Sequence, residues 1–140
     1  MTYKPFTAAW TEAMMDAINA SAAYKEAATK WTWPVALVVD ADPAAGYPVA
    51  VAAVFDLDRG TCKGAQLVAP EQVTADFVLR ASIGTWKELV AGTIDAVGAV
   101  ASGKVKLTGS TMTLMMHAKA AKALVACARD VPIAFDAAGA

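Results

Sequence analysis

Gly103-Lys104-Val105-Lys106-Leu107-Thr108-Gly109, continuing as Ser110-Thr111-Met112-Thr113-Leu114-Met115-Met116, decides how the chain is read. Residues 104–108 alternate, so a short strand sends Lys104 and Lys106 to one face and Val105 and Leu107 to the other. Glycines punctuate both ends, and Ser110 or Thr111 can cap the helix that follows. That helix opens with three methionines, whose flexible thioether chains repack around guests of different shape. A glycine-bounded basic strand feeding a methionine-rich helix describes a lid over an apolar cavity better than a catalytic centre.

Working outward, the 140 residues suffice for one domain with its own core, and 1–140 is read as a single unit. Hydrophobic residues make up 57% of the chain, and 34 positions are alanine. The longest run without charge, Pro43 to Phe55, has 13 residues and contains prolines and a glycine. A spanning helix needs about 20. Glu12 and Asp16 interrupt the N-terminal segment, which is amphipathic rather than leader-like. A cytoplasmic location is the expectation. Cys62 and Cys127 have no CxxC spacing and read as reduced thiols.

The net charge of −1 leaves no basic footprint for nucleic acid. Charge is unevenly spread: residues 1–100 hold 7 basic and 11 acidic side chains, residues 101–140 hold 5 and 2. The basic end reads either as a solvated face or as a surface that meets anionic lipid.

Thr7 can cap a helix bearing Trp10, Met14 and Ile18 at helical spacing, and Ser21 a second with Tyr24, Ala28 and Trp31. Trp33 to Val39 reads as a covered strand, Val49 to Phe55 as a second, and Asp58-Arg59-Gly60 as a hairpin into a third over Cys62 to Val68. Residues 75–82 alternate, with Phe77, Leu79 and Ala81 on one face. Thr85 and Glu88 have capping-box spacing before Trp86, Leu89 and Val90, and Gly92 stops that helix. Thr93 can cap a short helix ending at Gly103. After the 104–108 strand, one long helix is expected to about Arg129. The order α-α-β-β-β-β-α-α-β-α fits an α+β domain with a five-stranded, mostly antiparallel sheet covered by helices.

On a wheel, Lys119, Lys122 and Arg129 of the last helix share one narrow arc, and apolar residues fill the rest. Such an arc fits a helix sunk in the core, or one with a second face for a ligand, a partner or a second copy of the chain. Motifs for catalysis are absent: there is no GxSxG elbow, HExxH, CxxC pair or phosphate loop, and His117 is the lone histidine. No enzyme activity, cofactor or metal is expected. A small enzyme with an apolar pocket, and a dimerising module, stay as the alternatives.

These residues resemble the sterol carrier protein type 2 domain. The Gly103–Gly109 strand leading into Met112, Leu114, Met115 and Met116 is similar to that family's Gly-Lys-hydrophobic-Lys strand and lid-like final helix. Phe77 to Ser82 with Trp86, Leu89, Gly92 and Ile94 is similar to its strand and tryptophan-bearing helix. Trp10, Tyr24 and Trp33 are similar to the pattern of stand-alone bacterial members. The resemblance implies helices over one sheet face and an apolar tunnel for a fatty acid, fatty acyl-CoA or sterol-like lipid, bound and transferred without catalysis. It places Trp10, Met14, Phe77, Leu79, Trp86, Leu89, Leu107, Met112, Met115 and Met116 around that tunnel. The partners implied are a small hydrophobic ligand and a transient contact with an anionic membrane.

Overall fold

The computed structural model describes residues 2–134. Helix α1 (Ala8–Ala20) begins where the Thr7 hydroxyl accepts the Trp10 N–H at 3.3 Å, and buries Trp10, Met14 and Ile18. Helix α2 (Ala22–Ala27) begins at Ser21, whose hydroxyl accepts the Tyr24 N–H at 3.0 Å. Strands β1 (Val35–Val39), β2 (Val51–Asp58), β3 (Thr61–Val68) and β4 (Phe77–Ala81) follow. The β2–β3 hairpin turns on Arg59 and Gly60, both at positive φ, the backbone that matches the twist of the strands it joins.

The five strands form one sheet in the order β3-β2-β1-β4-β5, with β5 (Lys106–Thr108) at one edge. Three of its pairings are antiparallel; β1 and β4 run parallel. The sheet is therefore mixed as well as mostly antiparallel. Its register aligns one residue from every strand in a row: Leu67, Ala53, Leu37, Leu79 and Leu107. All five pack into the hydrophobic core, and a second row sets Phe55, Val35 and Phe77 side by side.

Helix α3 (Ile83–Ala91) starts earlier than its capping-box spacing predicts. The Ser82 hydroxyl, not that of Thr85, is the cap, accepting the Thr85 N–H at 3.2 Å, and the earlier start buries Ile83. Gly92, at φ 80°, closes the helix as expected. Asp95 rather than Thr93 caps α4 (Ala96–Ala101), while Thr93 donates its hydroxyl to the Glu88 carbonyl at 3.0 Å. A carboxylate accepts more strongly at a helix start than a hydroxyl, which accounts for the choice.

The expected single final helix is two. Ser110 caps α5 (Thr111–Met116), the chain breaks at His117, and α6 (Ala118–Arg129) follows. At Gly109, φ is 129°, and a Cβ there would lie 2.9 Å from both the Asp76 carbonyl oxygen and the Phe77 ring. Gly103 is also at positive φ, but open space surrounds it. Gly109→Ala should therefore cost about 3 kcal/mol, backbone strain plus a clash, and Gly103→Ala about 1 kcal/mol, strain alone. Urea unfolding of the two variants measures the difference, and equal losses would contradict the tight approach to Phe77.

Candidate functional site

Between the sheet and α6 lies an apolar cavity of about 80 Å³. Val35, Leu37, Phe77 and Leu79 of β1 and β4 form one wall, and Trp10 and Met14 of α1 with Trp86 and Leu89 of α3 form the sides. Ala121, Leu124, Val125 and Ala128 of α6 close it, with Leu114 of α5 at the junction. The wide apolar arc of α6 is thereby accounted for, since the helix also packs against α1, α2, α3 and α4. Its alanines let it lie close to those helices, and the same short side chains leave space over the bulky rings opposite.

Rigid aromatics hold the sides apart. Phe6 stacks at 5.1 Å from Trp10 and 5.7 Å from Trp86. Its backbone sits at φ 60°, a conformation that costs a side-chain-bearing residue on the order of 1 kcal/mol and needs support. That support is local: the buried Tyr47 hydroxyl donates to the Pro5 carbonyl at 2.6 Å, and Thr7 donates to the Lys4 carbonyl at 2.7 Å. Lys4 donates to the Gly46 carbonyl at 2.9 Å and lies over the Tyr47 ring. Burial pushes the Tyr47 phenol up to about 12. Trp86 is fixed by an N–H bond to the Val38 carbonyl at 3.0 Å. Trp31 is fixed by one to the Trp33 carbonyl at 2.8 Å, with its ring 4.8 Å from Phe77 and 5.3 Å from His117.

Of the ten side chains expected around the ligand, Trp10, Met14, Phe77, Leu79, Trp86 and Leu89 line this cavity. Leu107 packs half-buried against the core beside Leu79, one strand away from the void. Met112, Met115 and Met116 lie elsewhere: they are exposed, at 73%, 59% and 78% of their surface. On a six-residue helix the methionines occupy one side and Leu114 the opposite one, and it is Leu114 that turns inward. Phe6, Trp31, Leu124 and Val125 also line the cavity. The helical stripe of Tyr24 and Trp31 and the wide arc of α6 were the visible signals for three of the added residues; Phe6 had none.

Tyr24 is the single titratable side chain on the cavity wall among the described residues, and burial raises its pKa, so the phenol stays neutral. Burial likewise pushes the Cys62 thiol up to about 11. Such a wall offers an apolar body dispersion contacts and removal from water. It presents no acid–base pair for moving protons. No group of side chains suited to a metal occurs among the described residues, and no helix there is long and apolar enough to cross a membrane.

Residues 13–122 match the SCP-2 sterol transfer family. A crystal structure of sterol carrier protein 2 is 40% identical and superposes with a TM-score of 0.86, covering 91% of this chain and 99% of the other. A solution structure of a conserved protein from Thermus thermophilus, described as a candidate sterol carrier protein, is 38% identical at TM-score 0.86, with coverage of 96% and 94%. Sterol carrier protein 2 from Yarrowia lipolytica, in its apo form, is 18% identical at TM-score 0.56 and covers 86% of this chain and 89% of its own, which speaks for the fold alone. Among curated proteins, none matches the sequence significantly.

The buried thiol carries a pH signature. An unfolded cysteine ionises near 9 and the folded Cys62 near 11, so between those values the native state holds the extra proton. Stability is then full below about pH 9 and falls as pH rises through 11, by on the order of 2 kcal/mol for this one group. Cys62→Ala should flatten that decline in urea unfolding series at pH 8 to 11; an unchanged slope would mean the thiol is not sealed.

Proposed function

The chain belongs to the SCP-2 sterol transfer family, and on that premise we propose that it is a non-catalytic cytoplasmic carrier of fatty acids, fatty acyl-CoA or sterol-like lipids. Membership carries lipid binding and transfer as a general property; the cavity as the binding place, and the ligand class, are the proposal. The observation behind it is the apolar void between sheet and α6, walled by three tryptophans and by aliphatic side chains. Each methylene buried there contributes about 0.8 kcal/mol, so ten of them supply roughly the 8 kcal/mol of a micromolar complex. At 80 Å³ the void is small beside ligand pockets of roughly 300–1,000 Å³. A lipid chain therefore enters only as the α5–α6 roof moves away from the sheet.

The same roof carries the proposed membrane contact. Of the large apolar side chains exposed among the described residues, Met112, Met115 and Met116 sit together on α5, and only Val49 lies elsewhere. Exposed Lys106 precedes them and exposed Lys119 and Lys122 follow. Apolar side chains bracketed by cations suit the interface of an anionic bilayer, where each lysine contributes on the order of 1 kcal/mol, screened by salt. A helix that presents methionines outward and Leu114 inward would couple that surface to the roof. A homodimer through the apolar arc of α6 has less support, since the arc is spent on α1 to α4 and the cavity.

Titrating a 16-carbon fatty acid should change tryptophan emission, and Trp86→Phe should remove most of the change. Absence of any saturable binding would end the carrier reading. Lys119→Gln with Lys122→Gln should slow transfer to anionic vesicles several-fold and weaken its salt dependence, leaving equilibrium binding of the fatty acid near its original value. Met112→Ser, Met115→Ser and Met116→Ser together should do the same; a collapse of fatty-acid binding there would instead put the methionines in contact with the ligand.

A further inference from the structure

Three tryptophans border the cavity, and their indole N–H groups differ. Those of Trp31 and Trp86 are committed to backbone carbonyls. The Nε1 of Trp10 is buried and has no acceptor among the described residues. The residue is 3% exposed, is held in place by the start of α1, and packs between the rings of Phe6 and Phe55 at 5.1 Å and 6.4 Å. Aromatic rings are weak acceptors at best. A buried donor without a partner is uncommon, because burial removes its water without replacing it.

We propose that the Trp10 N–H is the polar recognition group of the cavity, donating to one uncharged oxygen of an otherwise apolar ligand, as in a long-chain ketone or ester. This rests on the carrier reading above and narrows it. The oxygen must be uncharged because no basic side chain lines the cavity, and a carboxylate drawn inside would be an unpaired buried charge. A carbonyl suits better than an alcohol, since an alcohol brings a donor of its own that needs a further acceptor. A free fatty acid would then keep its carboxylate at the mouth. In the ligand-free protein the nitrogen is sealed, so the bond forms as the roof parts and the chain takes up the space beside α1.

The test compares 2-dodecanone with n-tridecane, which have equal numbers of heavy atoms, delivered from cyclodextrin to protein carrying ¹⁵N-labelled tryptophan. Trp10→Phe should weaken binding of the ketone about tenfold more than binding of the hydrocarbon, the worth of one hydrogen bond to a buried donor. The Trp10 indole resonance should move downfield with the ketone and not with the hydrocarbon. Should Trp10→Phe fail to fold, the indole shift in the unaltered protein still decides. Equal losses for the two probes, or a downfield shift confined to Trp31 or Trp86, would overturn this inference and leave the carrier reading standing. Binding of neither probe would overturn both.

Discussion

The contact of Trp31 with its neighbours is the constraint on which the cavity depends. Its ring lies 4.8 Å from Phe77, 4.9 Å from Trp33 and 5.3 Å from His117, and its carbonyl accepts the Arg59 N–H at 2.7 Å. One residue thus ties together β4, the β2–β3 hairpin and the junction between the last two helices. Trp33 also packs on that junction, 5.7 Å from His117. A continuous helix through His117 would have to run past both rings. The chain breaks there, which lets α5 set Leu114 against the cavity while α6 lies over the aromatic wall.

That junction also marks where the sequence stops being readable. The helix starts at Thr7, Ser21 and Ser110 were legible because a cap is a local event: a hydroxyl meeting an N–H two or three residues on. The alternation of Phe77, Leu79 and Ala81 was legible because strand period maps directly onto sheet faces. The parallel β1–β4 pairing was not, because the apolar run of β1 marks a covered strand but not its partner or direction, which depend on how the chain returns through space. Ser82 displaced Thr85 as a cap because burial of Ile83 outweighed a good spacing.

The methionines show the same limit more sharply. Met112, Met115 and Met116 form a regular helical stripe, and Leu114 opposes them. Periodicity alone ranks three apolar side chains above one. Packing reversed the order: the branched Leu114 side chain fills the space under α5 at the cavity, while the methionine stripe remains in contact with solvent. The six expected cavity residues that do line the void belong to long or well-paired elements, α1, α3 and β4, whose inward faces are fixed by many contacts.

An 80 Å³ void left in an apolar core costs about 2 kcal/mol at roughly 24 cal/mol per Å³, and the lone Trp10 N–H adds to that cost. Such a penalty is tolerable when the protein gains by relieving it on binding. The attachment of the roof indicates where relief begins. The far end of α6 is tied down by polar bonds: Arg129 donates to the Val90 carbonyl at 2.7 Å, and beyond it Tyr3 donates to the Pro132 carbonyl at 2.8 Å while Ala134 donates back to Tyr3 at 3.0 Å. The near end rests on Leu114, Ala120 and the edge-on rings at His117, contacts that are apolar and can slide. Parting the near end costs the apolar packing of Leu114, Ala120 and the Trp31 and Trp33 rings against His117. Parting the far end would strip several donors of their acceptors at once. The less costly route into the cavity therefore opens at the α5–α6 junction, beside the exposed methionines.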